Sequence, residues 1–187
     1  LLALRRVEAT AWDVEQFEQA LFPEVVALAT SSASDEELAN LQELAESYIT
    51  ALTEHHQTWW EKQAPPRELA HLMAAYRRFM IAIFAATQNR LIQQLAQPLL
   101  RLRNLRQWAD REGSTVEELL PVETGYVRRL VDLIAARDPD QARVLVRNMM
   151  TLPPEAIAAM RQTPVGEISK IPVPLPASIF DPPAKQV

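Results

Sequence analysis

The run Tyr76–Ile92, YRRFMIAIFAATQNRLI, decides the fold. From Phe79 to Ala86 it holds eight apolar residues in succession, and a helix of that composition is apolar on every side and has to be surrounded by other helices. Leu69, Leu72, Met73, Tyr76, Met80, Ile83, Phe84 and Thr87 make one face, and near Ile81 the opposite face turns apolar too. The pattern predicts the central helix of a bundle. Pro66 opens it, because proline is tolerated in a helix's first turn. It ends in Thr-Gln-Asn, where Asn89 is suited to cap the following helix through its side-chain oxygen.

The rest of the chain agrees with an all-α fold. With three Gly and no Cys in 187 residues, and abundant Ala, Leu, Glu, Gln and Arg, the composition favours helix over sheet. The absence of cysteine excludes disulfides and thiolate metal sites and suits a cytoplasmic setting. A net charge of −5 argues against this chain gripping nucleic acid by itself. The longest apolar run is far short of the roughly 20 residues a membrane-spanning helix needs. The chain begins at Leu1 rather than Met, so a fragment of something longer is expected.

Working outward, a bundle of about six or seven helices is expected over 12–162, with one short helix before it. A short one covers Leu1 to Glu8. A second starts at Trp12 or Asp13, carries Phe17, Leu21, Val25, Leu28 and Ala29 on one stripe, and stops in Thr30–Ser34; Pro23 should kink or interrupt it. Ser34-Asp-Glu-Glu37 is a capping box, from which a long amphipathic helix runs to Glu61 or Lys62. Beyond the central helix, one from Arg90 to Asp110 turns Leu91, Leu95, Leu99, Leu102 and Leu105 inward. Thr115-Val-Glu-Glu118 offers a second capping box for a helix reaching Arg137, with Tyr126, Leu130, Leu133 and Ile134 inward. Asp138-Pro139 starts another, carrying Ala142, Leu145, Val146 and Met149, and a short helix from Pro154 to Gln162 follows. The proline-spaced stretch after Thr163 reads as an extended tail. The domain reading is therefore a linker over 1–11, a helical domain over 12–162 and a proline-rich tail over 163–187.

Catalytic motifs are missing. Glycines at 113, 125 and 166 cannot form a phosphate loop, and there is no nucleophile elbow, so no enzyme is expected. Adjacent His55 and His56 point about 100° apart on a helix and cannot easily share a metal. Exposed or partly buried histidines are the expectation. Arg101, Arg103 and Arg106 could hold phosphate or carboxylate through forked hydrogen bonds, or form a solvated face.

Phe17–Leu44, FEQALFPEVVALATSSASDEELANLQEL, resembles the opening of the C-terminal effector domain of GntR-type bacterial transcription regulators, the FCD or FadR-C class. Phe79, the ATQNRLI junction, the segment YVRRLVDLIAARDPDQA and the helix ending at Met149 agree with it, over about residues 12–162. The resemblance implies an antiparallel helical bundle that binds a small effector and forms a homodimer. It also implies DNA binding through an N-terminal winged-helix domain that this chain does not contain. Many such domains hold a metal with Asp-x-x-Phe-His in the central helix and two further histidines. Here those places read Tyr76, Arg77, Arg78, Phe79 and Met80, then Val127, or Tyr126 with a one-residue shift, and Met149. No metal and no cofactor is expected on such a set. The departure implies the metal-free, FadR-like branch, with a small apolar or acyl ligand such as a fatty acyl-CoA. Its expected contacts are Tyr76, Met80, Ile83, Arg103, Tyr126, Leu130 and Met149. The alternative is a helical protein–protein interaction module with a closed core.

Overall fold

The computed structural model describes residues 8–62, 66–104, 116–165 and 167, with the side chains of 59–69 and 101–119 left aside. Seven α-helices occur among the described residues: α1 (Ala11–Ser32), α2 (Asp35–Lys62), α3 (Pro66–Ala86), α4 (Arg90–Asn104), α5 (Val116–Ala135), α6 (Pro139–Met149) and α7 (Pro154–Gln162). None of them is long and apolar enough to cross a membrane. The expected helix over Leu1–Glu8 lies outside the described residues except for Glu8, which is a turn residue with φ 53°, and Thr115 of the second capping box lies outside them.

The large core takes one face of the central run, but the expected burial on every side is not met: Ile81 and Ala82 are half-buried and Ala85 is exposed. Phe79, Ile83 and Phe84 of α3 are buried, and they share one cluster with Phe22, Val25, Val26 and Ala29 of α1, Leu41, Ala45 and Ile49 of α2, and Leu99 and Leu100 of α4. Val127, Leu130 and Ile134 of α5 and Leu145 and Val146 of α6 complete it. Phe22 meets Phe84 edge to face at 5.7 Å, a favoured aromatic geometry.

Local chemistry sets most helix ends. The Ser34 box forms in both directions: the Ser34 amide donates to Glu37 Oε2 at 2.8 Å and the Glu37 amide donates to Ser34 Oγ at 3.2 Å. Asn89 Oδ1 accepts from the Leu91 and Ile92 amides, and Asp138 accepts from the Gln141 amide with Pro139 behind it. α3 and α5 both finish in the left-handed region at non-glycine residues, Gln88 (φ 55°) and Arg137 (φ 56°). That conformation costs about 1–2 kcal/mol without glycine. Each side chain is tethered across the bundle: Gln88 donates to both Glu37 carboxylate oxygens at 2.8 Å, and Arg137 reaches the Ala33 and Thr30 carbonyls and Asp35.

Several expectations are corrected. α1 begins at Ala11, one or two residues earlier than expected, because Thr10 and Asp13 make a capping box. Its end falls within Thr30–Ser34 as expected, at Ser32, with the Thr30 and Ser31 hydroxyls donating to the carbonyls one turn back. Pro23 is accommodated inside this single helix and buried. Phe17 is 49% exposed, Leu91 80% and Leu95 39%, although all three were expected inward. A ladder of i, i+4 steps advances about 400° per step, so it winds some 40° around the axis each time. Two steps carry it from the solvent side to the core side: Val25 and Leu99 are buried while Phe17 and Leu91 are not. At the C-terminus, Val165 is 1% exposed within the segment expected to trail away from the core.

Candidate functional site

The expected ligand contacts fall into three groups. Tyr76, Met80 and Ile83 succeed one another at helical spacing on α3, and all are buried in the main cluster together with Leu130 and Val127 of α5. The Tyr76 ring lies 5.5 Å from that of Tyr48 on α2, and Tyr48 also stacks against Phe79 at 6.1 Å with planes 20° apart. These contacts fix the α2–α3 side of the wall. Tyr126 is half-buried and packs against the same cluster. Met149 is also half-buried but stays outside that cluster, and Met150 takes the core position. Arg103, like Arg101 and Arg106, lies outside the residues whose side chains are described.

Three of the four places compared with metal ligands, Tyr76, Met80 and Val127, are therefore brought together, and they are packed among hydrocarbon. Among the described residues, no group of three or more His, Asp or Glu could hold a metal ion. A phenol, a thioether and an isopropyl group are no donor set for a hard divalent cation. The residues present do not fit a metal.

Polar groups inside the bundle escaped the sequence reading. His55 and His56 are both buried, contrary to expectation. His56 Nε2 lies 2.9 Å from Glu123 Oε2 of α5, with side-chain exposures of 8% and 11%. The signal was present: the inward stripe of α2 passes through Ala45, Tyr48, Ile49 and Leu52, and the next helical step is His55 and His56. On α1, Glu15 and Glu18 are fully buried, and Gln19 ties Glu15 Oε1 (3.0 Å) to the Met150 carbonyl (2.9 Å) at the end of α6. Burying ionisable side chains costs several kcal/mol before their partners compensate, so their presence marks where polarity was retained inside an otherwise apolar bundle.

A concavity lies away from this wall. A cleft of about 470 Å³ is lined by Glu8, Ala9, Thr10, Gln162, Pro164, Val165 and Glu167. None of the expected ligand contacts borders it. At its edge the Thr10 backbone N–H, seconded by the Thr10 hydroxyl, holds the Asp13 carboxyl below the usual carboxylate range. The outer face of α1 and α6 carries a charge network instead of a cavity, in which Glu24 accepts from Arg143 and Arg147, and Arg143 also pairs with Asp140.

A bundle whose large core takes one face of α3 while Arg77, Arg78 and Ala85 stay exposed on the other, with an apolar wall at the places that the resemblance compares with metal ligands, defines a class: an all-α domain with the layout of a regulator's effector domain. The family model described as FCD domain matches residues 13–152, most of the chain, and the chain belongs to that family. Membership gives it the effector-binding role of a GntR-type transcription regulator, with a small molecule as the effector. FCD domains belong to regulators rather than to enzymes. A search of curated proteins finds no match.

Proposed function

We propose that this domain senses a small apolar or acyl ligand, a fatty acyl-CoA being the leading candidate, and does so without a metal. The observation that carries the reading is the replacement of the metal places by Tyr76, Met80 and Val127 inside one apolar cluster. Thioether side chains adapt to flexible hydrocarbon, so Met80, Ile83 and Leu130 would meet the ligand's chain, with Met149 at its margin. The Tyr76 and Tyr126 hydroxyls would meet its polar end, and Arg103 would face a carboxylate or phosphate. Occupancy would favour one arrangement of a cytoplasmic homodimer over another. That shift would change the DNA affinity of winged-helix domains outside this chain.

Thermal unfolding with palmitoyl-CoA, palmitate or free CoA tests this. A ligand at a hundredfold its Kd adds about 2.7 kcal/mol, which for a domain of this size raises Tm by roughly 5–10 °C. Palmitoyl-CoA should raise it and CoA alone should not. No rise with either acyl compound removes the acyl reading. One observation favours a second reading: Leu91 and Leu95, one turn apart on α4, are open to solvent, as a helical protein–protein interaction module would require.

A further inference from the structure

The chain on either side of Thr10 runs antiparallel to the chain on either side of Pro164. The Ala11 amide donates to the Thr163 carbonyl at 2.8 Å and the Val165 amide donates to the Ala9 carbonyl at 2.9 Å. The central pair exchanges no bond of its own, so Pro164, which has no N–H, occupies the one place in this short ladder where none is needed. Beneath it Ala11, Val14, Leu152, Ala156, Met160 and Val165 form a small cluster separate from the main core. The Arg161 guanidinium lies 5.6 Å over the Trp12 ring, a cation–π contact that adds to the closure. Just upstream, Glu8 turns the chain with φ 53°.

We infer that residues 163–165 are a clasp that fixes how the chain enters α1 and couples that direction to α6. Helix α6 lines the bundle interior through Leu145 and Val146, ends beside Gln19 at Met150, and continues through Leu152 into α7. α7 in turn holds the clasp through Met160. A displacement of α6 therefore passes through α7 to residues 9–11, the segment leading to whatever precedes the bundle. The signal that moves α6 rests on the effector reading above; the clasp and its tie to α6 stand on these contacts alone.

Hydrogen exchange on the full chain, read by mass spectrometry, tests both parts without any ligand. Val165→Pro deletes the donor to Ala9, whereas Val165→Ala keeps it and trims only the packing. Exchange across 9–14 should quicken in Val165→Pro about fivefold, the worth of one hydrogen bond, and less in Val165→Ala, while 72–84 of α3 stays protected. Unchanged protection at 9–14, or an equal rise in α3, overturns the clasp. Val146→Ala, on α6, should raise exchange at 9–14 more than at 72–84. An equal or smaller rise overturns the coupling. An absent thermal shift with palmitoyl-CoA would sink the effector reading and leave these results standing.

Discussion

The main core and the small cluster under α7 are built on different terms. The first interlocks phenylalanines, leucines and isoleucines from six helices, so a change at one of them is felt by its neighbours. The second rests on alanines, valines, one leucine and one methionine, closed by two backbone hydrogen bonds and an exposed cation–π contact. Large interlocked cores open only with the whole domain, whereas small peripheral ones open on their own. The difference identifies α7 as the element whose position can change while the bundle persists.

The largest effect should come from Phe84→Ala, which empties a fully buried site at the Phe22 contact. A loss of about 3–5 kcal/mol is expected, read by urea unfolding as a lower midpoint shared by every probe. If part of the domain were to keep its original midpoint, the single interlocked core would be the wrong description. Met160→Ala, also at a fully buried site, removes comparable volume from the small cluster. Its global cost should sit at the low end for such a change, about 2 kcal/mol, with limited proteolysis first cutting around α7. Equal losses for the two substitutions would erase the contrast.

The smallest effect concerns the two capping boxes, one at each region. The Ser34 backbone N–H is the main reason Glu37 titrates below its ordinary range, with the Ser34 and Gln88 side chains adding to it, and Thr10 acts likewise on Asp13. A depressed folded-state pKa means stability that is present above the unfolded pKa and is lost as pH falls through the folded one. Acidification below the ordinary carboxylate range should therefore loosen both helix starts. Circular dichroism across that range should show a slight fall in helicity that Asp13→Asn and Glu37→Gln each reduce. A wild-type trace flat to the lowest pH would remove the caps as a source of pH dependence.

Much of this was legible in the residues. The buried face of α3, the Ser34–Glu37 and Asp138–Pro139 starts, Pro66, and the short helix before Gln162 are local signals with local causes, and the structure repeats them; the apolar run at Ile81 to Ala86 overstated how far α3 would be surrounded. The facing of α1 and α4 was not legible, because Val25 and Leu99 each belong both to an i, i+4 ladder, with Phe17 or Leu95, and to an i, i+3 ladder, with Phe22 or Ala96, and only packing chooses between them. A carboxylate on the inward stripe, as at Glu15 and Glu18, pushed the choice the wrong way. The candidate wall at Tyr76, Met80 and Leu130 was readable as buried, since its residues are apolar at helical spacing. The inward stripe of α2 offered His56 as a buried residue, but its pairing with Glu123 was not legible, because the partner lies 67 positions away.

Arg137 has a consequence for the order in which the molecule is made. The carbonyls at the end of α1 are met by a guanidinium that lies 104 residues downstream of Ala33. Helix ends left without a partner fray, and a chain leaving the ribosome folds from its N-terminus first. The Ser34 box can therefore mark the start of α2 as soon as it is made, whereas the last carbonyls of α1 wait for their guanidinium until the corner between α5 and α6 has emerged.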